Sequence, residues 1–223
     1  MEAITTYIEY PPIQIIKTII DHFIPYRRLS LADSFKDLSK DDIVNEIKNI
    51  GYIKIETITP NPRGARNKVT FLILSINSKY SHSPELRKLL DIVSNDNTID
   101  ELIIIIEEIF FSKKTLLDIV KEYQKNEIYN DINGELAIYN AYPYYNFIEN
   151  IPIKVFPHRI ISFEEIKQNI LTEYIKIGDL KVIFTNDPPI IWLGGKDGQV
   201  AEIQRDSSTS GIAIEYRRIE RKI

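Results

Sequence analysis

The sequence predicts an α+β protein of two domains, residues 1–150 and 151–223. Strand-like and helix-like segments alternate between about residues 69 and 141, which is typical of a small, mostly parallel sheet. A cluster of tyrosine and proline from Tyr142 to Tyr145 ends that alternation. Beyond it, two strand-like segments joined by a serine-rich loop predict a smaller α/β domain that ends in a hairpin.

Composition makes hydrophobic periodicity the better guide to these elements. The chain holds 44 isoleucines among 223 residues, against 7 alanines and 8 glycines. Because β-branched isoleucine favours strands, residue propensity overstates strand content in such a chain. The spacing of apolar positions is therefore used to separate helices from strands.

Two helices are predicted first. Pro11 and Pro12 suit the first turn of a helix, and five apolar residues follow at helical spacing. They are Ile13, Ile16, Ile19, Ile20 and Phe23. A second helix is expected to begin after Ser39, with Asp42 in its first turn and Gly51 as its left-handed C-terminal cap.

A run of strands and helices follows. Tyr52–Ile58 alternates apolar and polar residues, Asn61–Gly64 predicts a turn, and Val69–Ile76 has the continuous apolar character of a strand buried on both faces. The remaining segments are a helix from Ser83 to Val93, a strand at Leu102–Ile106, a helix from Ser112 to Val120 and a strand near Leu136–Ala141. This order predicts parallel pairing through helical crossovers.

In the C-terminal domain, Ser162 and Glu165 have the spacing of a capping box at a helix N-terminus. Phe163, Ile166, Ile170 and Tyr174 are expected along one face of that helix. Asp187-Pro188-Pro189 predicts a short element that carries Trp192 and Leu193. Strands are expected at about Gln199–Arg205 and Ile212–Ile219, joined by the loop Asp206–Gly211.

Several classes of protein are disfavoured. There is no cysteine, so thiolate chemistry and cysteine-ligated metals are excluded. His22, His82 and His158 have no metal-ligand spacing, and no metal or cofactor is expected. The longest apolar run, Leu102–Ile106, is short for a membrane span, and Met1–Tyr10 lacks the pattern of a signal peptide.

The distribution of charge also limits the function. Residues 1–150 hold 17 basic and 22 acidic side chains, whereas residues 151–223 hold 11 basic and 10 acidic ones. Neither part has the positive balance of a free-standing nucleic-acid binder. Any contact with nucleic acid is therefore expected only within a complex.

Three candidate catalytic motifs fail on their context. Gly194–Gly198 lacks the spacer and the Gly-Lys-Ser/Thr ending of a phosphate-binding P-loop, and a strand follows it. Ser207–Ser210 has no nucleophile elbow. A metal-dependent nuclease needs a Glu-x-Lys on a strand, but Glu46-Ile47-Lys48 falls in a predicted helix, and Glu107 and Glu108 have no such lysine.

One set of residues suggests a binding surface. Arg205 closes one predicted strand, and Tyr216 and Arg217 lie on its neighbour. An aromatic side chain and two guanidinium groups near one sheet edge could bind a partner's carboxylates or nucleic acid. Asp187 is expected to cap the turn that Pro188 stabilises.

These positions belong to a longer pattern. Its members are His158, Ser162–Glu165, Tyr174, Asp187-Pro188, Trp192–Gly194, Gly198, Ile203–Arg205, Ser207, Gly211 and Tyr216-Arg217. In order and spacing, the pattern resembles the C-terminal assembly domain of the RNA polymerase subunit called H in archaea and the fifth Rpb subunit in eukaryotes. The N-terminal segments Val69–Ile76, Ile103–Ile106 and Ser112–Val120 resemble the eukaryotic jaw extension of that subunit.

The two-domain form is similar to the version in large nucleocytoplasmic DNA viruses of the asfarvirus type. The residues that carry this likeness are Asp187–Gly195 and Tyr142–Tyr144. The chain departs from the family where Pro157 directly precedes His158, and at Pro189, Gly195, Asp206 and Ser208. These departures bear on the contacts of the last hairpin.

The resemblance implies a non-catalytic subunit that docks on the largest polymerase subunit, with a jaw domain beside downstream DNA and no membrane contact. The partner-binding residues that it implies are His158, Asp187, Pro188, Trp192, Leu193, Gly194, Arg205, Ser207, Gly211, Tyr216 and Arg217. A viral source implies the viral factory in the host cytoplasm, and the virion, as locations; a cellular version would be nuclear. Two alternatives stay open: a nuclease-like enzyme built on the N-terminal domain, and an interaction module that targets a host polymerase.

Overall fold

The computed structural model describes residues 11–33, 39–63, 66–74, 83–106, 118–119, 122, 138–148, 152, 155–171, 176–209 and 211–221. The chain divides into two compact units, residues 1–149 and 150–223. Each unit combines helices with a mixed sheet, so the α+β class predicted from the sequence is confirmed. Within the described residues, no helix has both the length and the apolar character needed to cross a membrane.

The N-terminal unit opens with a helical run in three parts. Helix α1 spans Pro11–Thr18, a π-helical turn covers Ile19–Phe23, and α2 spans Ile24–Tyr26. The wide turn precedes Pro25, whose ring would collide with the carbonyl one turn earlier in a regular α-helix. The predicted helix and its apolar stripe are confirmed: Ile13, Ile16, Ile19 and Phe23 are buried, and Ile20 is half-buried. The π-helical turn was not predicted from the sequence.

Helix α3, Lys40–Ile50, confirms the second predicted helix and both of its ends. The Ser39 hydroxyl accepts from the Asp42 N–H, and the Asp42 carboxylate accepts from the Ser39 N–H. Gly51 follows in the left-handed region, with φ of 93°. The other helices of this unit are α4, Ser83–Ser94, and α5, Tyr145–Ile148.

Five strands form the first sheet, in spatial order β1 to β5. They are β1 Ser30–Leu31, β2 Tyr52–Arg63, β3 Arg66–Leu74, β4 Ile99–Ile106 and β5 Ile138–Pro143. The pairs β3/β4 and β4/β5 are parallel as predicted, but β1/β2 and β2/β3 are antiparallel. The sheet is therefore mixed, because the tight connection between Arg63 and Arg66 requires an antiparallel hairpin.

The hairpin tip corrects a predicted boundary. Asn61, Pro62 and Arg63 belong to β2, whereas the sequence predicted a turn at Asn61–Gly64. The strand register shifts between Ile58 and Arg63, which accommodates two prolines that cannot donate to a regular ladder.

The central strands are buried on both faces, as their continuous apolar sequences predicted. Helix α4 packs Leu86, Leu89 and Leu90 against Leu102 and Ile104 on one face. On the other face, the Phe23 ring meets the Phe71 ring edge to face at 5.5 Å. The helix predicted from Ser112 to Val120 lies largely outside the described residues; Ile119 is helical and buried in the same cluster as α4.

The C-terminal unit has a four-stranded sheet in the order β6-β8-β9-β7. Its strands are β6 His158–Ile161, β7 Lys181–Phe184, β8 Val200–Ser207 and β9 Gly211–Glu220. The β8/β9 hairpin is confirmed, and it is longer than predicted because Ser207 pairs with Gly211. Strands β6 and β7 were not predicted, since four residues are too few to show an alternating pattern.

One short helix covers each face of this sheet. Helix α6, Phe163–Asn169, packs Ile166 against Ile161 and Val200. Helix α7, Pro188–Leu193, packs Ile190 against the opposite face. The capping box of Ser162 and Glu165 is confirmed, but Phe163 is 52% exposed and so does not share the buried face of Ile166 and Ile170. Tyr174 lies outside the described residues.

Candidate partner-binding site

The pairing of β8 with β9 determines which sequence-predicted site residues share a face. Arg205 lies opposite Ala213, Tyr216 opposite Glu202, and Arg217 opposite Ala201. Because side chains alternate between the two faces of a sheet, Arg205 and Arg217 share the α7 face, and Tyr216 lies on the α6 face. The predicted grouping of Tyr216 with both arginines at one edge is therefore wrong.

The two arginines meet at a residue that the sequence analysis missed. The Glu215 carboxylate lies 3.2 Å from Arg205 Nη2, 3.1 Å from Arg217 Nη2 and 3.6 Å from Lys181 Nζ. The hydrogen bond from Arg217 is the main reason that the pKa of Glu215 is lowered. We call Lys181, Arg205, Arg217 and Glu215 the cationic cluster: three cations share one carboxylate.

A groove lies next to this cluster. It has a volume of about 630 Å³ and is referred to below as the Phe156 groove. Its lining residues are Val155, Phe156, Pro157, His158, Pro189, Gln204, Arg205, Asp206 and Ile212. Phe156 and Ile212 are 48% and 62% exposed, respectively. Arg205 belongs to both features, because its guanidinium lies 5.8 Å from the centre of the Phe156 ring.

His158 forms part of the wall of the groove. Its Nδ1 is hydrogen-bonded to the Phe156 carbonyl, which ties the start of β6 to the segment before it. Burial is the main cause that lowers the pKa of His158, and the charges of Arg205 and Arg217 act in the same direction. Asp187 and the hydrogen bond with Phe156 oppose that shift. The structure thus brings four predicted residues together: His158, Asp187, Arg205 and Arg217.

Asp187 and Pro188 organise the turn that leads into α7. Pro188 occupies the first helical position, as its fixed φ favours. The Asp187 carboxylate accepts from the Phe184 N–H at 2.9 Å and makes no hydrogen bond to the helix. The Asp187 carboxylate therefore closes the turn after β7, as the predicted capping of a turn by this residue requires.

Trp192, Leu193 and Gly194 are parts of the fold and not of the groove wall. Trp192 is completely buried, and the half-buried Leu193 packs against the cluster under α7. Gly194 ends the helix in the left-handed region, with φ of 68°. Complete burial makes Trp192 a support of the fold and not a direct contact residue, whereas a partner-binding role for Leu193 and Gly194 stays a prediction.

Ser207 and Gly211 form the last pair of the hairpin. Gly211 has a φ of 75°, and the Ser207 hydroxyl accepts from the Thr209 N–H. Ser207 lies two residues after Arg205 on β8. By closing the hairpin turn, Ser207 and Gly211 hold this end of β8 in place.

Tyr216 takes part in a different arrangement on the α6 face. Arg159 donates from Nε and Nη2 to the buried Glu202 carboxylate, at 2.8 and 2.7 Å, and from Nη1 to Glu165 at 2.6 Å. Burial is the first cause that raises the pKa of Tyr216, and the charge of Glu202 adds to it. This network holds α6 on the sheet, so Tyr216 has a structural setting.

The catalytic alternatives gain little from the structure. Glu46 and Lys48 lie on α3, as predicted, and not on a strand. Glu107 and Glu108 are outside the described residues. Across the part of the chain that the structure describes, no three or more His, Asp or Glu side chains group in a way that could hold a metal ion. Gly194–Gly198 forms a turn that leads into β8.

Sequence reasoning missed several residues of the site, among them Phe156, Lys181, Ile212 and Glu215. Glu215 was within reach, because it lies two residues before Arg217 and so on the same face. Lys181 was not, since it joins the cluster only through the parallel pairing of β7 with β9, where it lies opposite Arg217.

Comparison with known proteins assigns this unit to a class. Residues 153–219 match the model of the family described as RNA polymerase Rpb5, C-terminal domain. That range includes β8, all of β9 except its last residue, both short helices, the cationic cluster and every residue that lines the groove. The C-terminal unit is therefore an RNA polymerase subunit domain.

The likeness extends over most of the chain. An RPB5 homologue of DNA-directed RNA polymerase from African swine fever virus (isolate Pretoriuskop Pr4) is 34% identical over 204 residues, 90% of this chain and 93% of that protein. The homologue from the Kenya KEN-50 isolate is 33% identical over 206 residues, 91% of this chain and 94% of that protein. The archaeal subunit Rpo5 of Thermococcus onnurineus is 48% identical over 61 residues, 27% of this chain and 73% of that protein.

This chain belongs to the Rpb5 family of RNA polymerase subunits. Its role is that of an accessory subunit in transcription, without catalysis of its own, which confirms the class expected from the sequence. The viral relatives confirm the viral likeness that the sequence indicated.

Proposed function

We propose that this chain is a structural subunit that docks on the largest subunit of a multisubunit RNA polymerase through its C-terminal unit. In this proposal the N-terminal unit forms part of the jaw beside downstream DNA. The supporting observation is the extent of the similarities: the viral homologues match both units, whereas the archaeal subunit matches a stretch no longer than the C-terminal one. A segment that the viral and archaeal subunits have in common is the part that we expect to attach them to the polymerase.

Charge in the N-terminal unit supports a position beside DNA. Although residues 1–150 carry an acidic excess, residues 57–84 contain no Asp or Glu and four cations: Arg63, Arg66, Lys68 and Lys79. Arg63 and Arg66 are register partners at the end of the β2/β3 hairpin. Glu56 lies further along β2 and pairs with Lys54 and Lys68, but the hairpin end itself has basic and no acidic residues. Such an end suits contact with phosphates, while the acidic remainder disfavours binding of DNA by the free chain.

Affinity purification of the tagged full chain from its native source tests the docking. We expect recovery of the largest subunit in equal amount. Recovery of host polymerase subunits alone would favour an interaction module instead, and recovery of no polymerase subunit would refute the proposal. Mg²⁺-dependent DNA cleavage that a single carboxylate substitution abolishes would support the nuclease alternative.

The DNA contact is tested on the assembled polymerase. Arg63→Ala with Arg66→Ala should flatten the salt dependence of downstream DNA binding by about one to two units of log K per log salt, since each lost phosphate contact removes ~0.9. The matched control is Lys48→Ala with Lys88→Ala, which removes the same charge from exposed helix positions. An equal effect of both pairs would argue against a hairpin contact.

We further propose the cytoplasmic viral factory and the virion as locations, which fractionation of infected cells would test.

A further inference from the structure

We infer that the Phe156 groove and the cationic cluster form one recognition surface for an extended segment of a neighbouring polymerase subunit. The segment carries an aliphatic or aromatic anchor beside one or more carboxylates. The inference rests on the proposed docking and specifies the surface and the chemistry of the bound segment.

The groove supplies the apolar part of this surface. Phe156 and Ile212 leave 48% and 62% of their surface in water, and both line the same groove. Phe163, Phe184 and Ile214 of this unit are also exposed, but they do not line the groove. Pro157 and Pro189 line the same groove and stiffen its walls. A volume of about 630 Å³ is in the range that holds a few side chains of a partner. Exposed aromatic and aliphatic residues around such a groove are typical of interaction sites.

The cationic cluster supplies the polar part. Glu215 compensates one of its three cations, and 80% of the Lys181 side chain and 43% of the Arg205 side chain remain exposed. Arg205 connects the cluster to the groove, because the same guanidinium faces the Phe156 ring and the Glu215 carboxylate. A carboxylate that entered beside an apolar anchor would therefore meet an arginine that is already held in place.

Two acidic residues, Asp206 and Asp187, lie near the groove and the cationic cluster. Asp206 lines the groove, and Asp187 lies near His158 with its carboxylate hydrogen-bonded to the Phe184 N–H. At His158, the charges of Arg205 and Arg217 have larger effects on the pKa than the charge of Asp187. Arg205 lines this end of the groove with part of its side chain exposed, so it can bind a carboxylate of the segment.

A protein segment fits this surface better than DNA does. The apolar residues that line the groove offer nothing to a phosphate backbone. Protein interfaces, by contrast, combine an apolar centre with arginine and a polar rim.

Three substitutions in the tagged full chain test the inference by recovery of polymerase subunits. Phe156→Ala removes the ring, Ile212→Asp places a charge at the apolar rim, and Arg205→Glu reverses the charge that connects the two parts. The matched controls are Phe163→Ala, which removes a ring that is 52% exposed on α6, and Lys167→Glu, which reverses an exposed charge on the same helix. We expect each site variant to lower recovery at least about tenfold, as hot-spot residues do, and each control to match the wild-type chain.

Circular dichroism melting of each purified variant separates loss of binding from loss of folding. If a site variant has a lowered melting temperature, photo-cross-linking gives a second readout. For this, benzoylphenylalanine replaces Ile212 in the assembled polymerase. The cross-linked peptide should come from a polymerase subunit and contain Asp or Glu within a few residues of an apolar anchor. A cross-link to DNA, or to a peptide without carboxylates, would overturn the inference.

The experiment also separates this inference from the proposed function. Normal recovery of polymerase subunits by all three folded site variants would refute the groove and leave the docking proposal standing. Failure of the wild-type chain to recover any polymerase subunit would refute both.

Discussion

Gly195 has less room for a side chain than Gly178, Gly198 or Gly211. A Cβ there would lie 2.7 Å from Ile190 Cγ2 and 2.8 Å from Ile219 Cδ1. Both isoleucines are fully buried, so neither can move aside without disturbing the sheet and α7. The packing of Ile190 and Ile219 thus leaves space for glycine at this position.

Gly195→Ala should lower the free energy of unfolding of the C-terminal unit by about 1–3 kcal/mol, as overpacking of a core does. The control is Gly178→Ala, where an added Cβ meets nothing within 4 Å. Urea unfolding followed by Trp192 fluorescence measures both variants. Equal urea midpoints for the two variants would show that Ile190 and Ile219 shift without a loss of stability.

The carboxylates around Arg159 predict acid sensitivity. The pKa of Glu165 is lowered from 4.5 to about 2. The main cause is the hydrogen bond from the Ser162 N–H, and the second is the hydrogen bond from Arg159. Because the folded-state pKa is the lower one, the stabilisation is fully present above about 4.5 and is lost as the pH falls towards 2. The pKa of Glu202 is lowered in the same direction, mainly by Arg159.

Glu165→Gln removes one of these titrations. The wild-type chain should be more stable than this variant at pH 7, and the difference should shrink between pH 4.5 and 2, the window set by the two pKa values of Glu165. Urea midpoints measured across that range test the expectation. A difference that stays constant with pH would mean that the Glu165 charge contributes no stability.

At the level of single residues, sequence reasoning identified positions better than roles. Trp192 belongs to a recognisable pattern, but complete burial makes it a support for the fold. Tyr216 and Arg217 are adjacent in sequence and face opposite sides of the sheet. Their placement depends on the pairing register, which the sequence alone left open within one or two residues.

Among the elements, the short helix α6 depends on its cap. It has seven residues, too few to be stable alone, and the Ser162 hydroxyl accepts from the Glu165 N–H at its start. Ser162→Ala should therefore lower the stability of the C-terminal unit by about 1 kcal/mol. The control is Ser208→Ala in the exposed hairpin turn, which should change little. Thermal melts of the full chain would compare them, and equal melting temperatures would contradict the expected contribution of the cap.

The elements that periodicity recovered are those long enough to show a period. Helices α1, α3 and α4 and strands β2, β3 and β4 each extend over eight or more residues. Strands β6 and β7 have four residues each, and their sequences carry no visible alternation. Their existence is set by pairing with the long hairpin, which is a tertiary effect.

For the whole molecule, the match to short archaeal subunits leads to a prediction about truncation. A chain reduced to residues 150–223 should still co-purify with the polymerase, because the matched archaeal protein is similar over a stretch of only 61 residues. The loss of residues 1–149 should shorten the downstream DNA footprint of the assembled enzyme. Loss of co-purification by a folded truncated chain would show that the N-terminal unit is needed for attachment.

The sequence was sufficient to predict the protein family but not the groove on the surface of the C-terminal unit. The spaced pattern from His158 to Arg217 was sufficient to indicate the family. The groove was not predictable, because it is formed by Phe156, Pro189 and Ile212, which are distant in sequence and meet only once the sheet is assembled.

The strand order of the C-terminal sheet also has a consequence for folding kinetics. Strands β6 and β7 pair only with β8 and β9, respectively, so neither has a strand partner until the hairpin has formed. Local hairpin closure should therefore precede the pairing of both edge strands, since local contacts require less loop closure than distant ones. Substitutions at the Ser207–Gly211 turn should slow refolding, whereas those in β6 and β7 should mainly speed unfolding, a contrast that stopped-flow chevron plots would reveal.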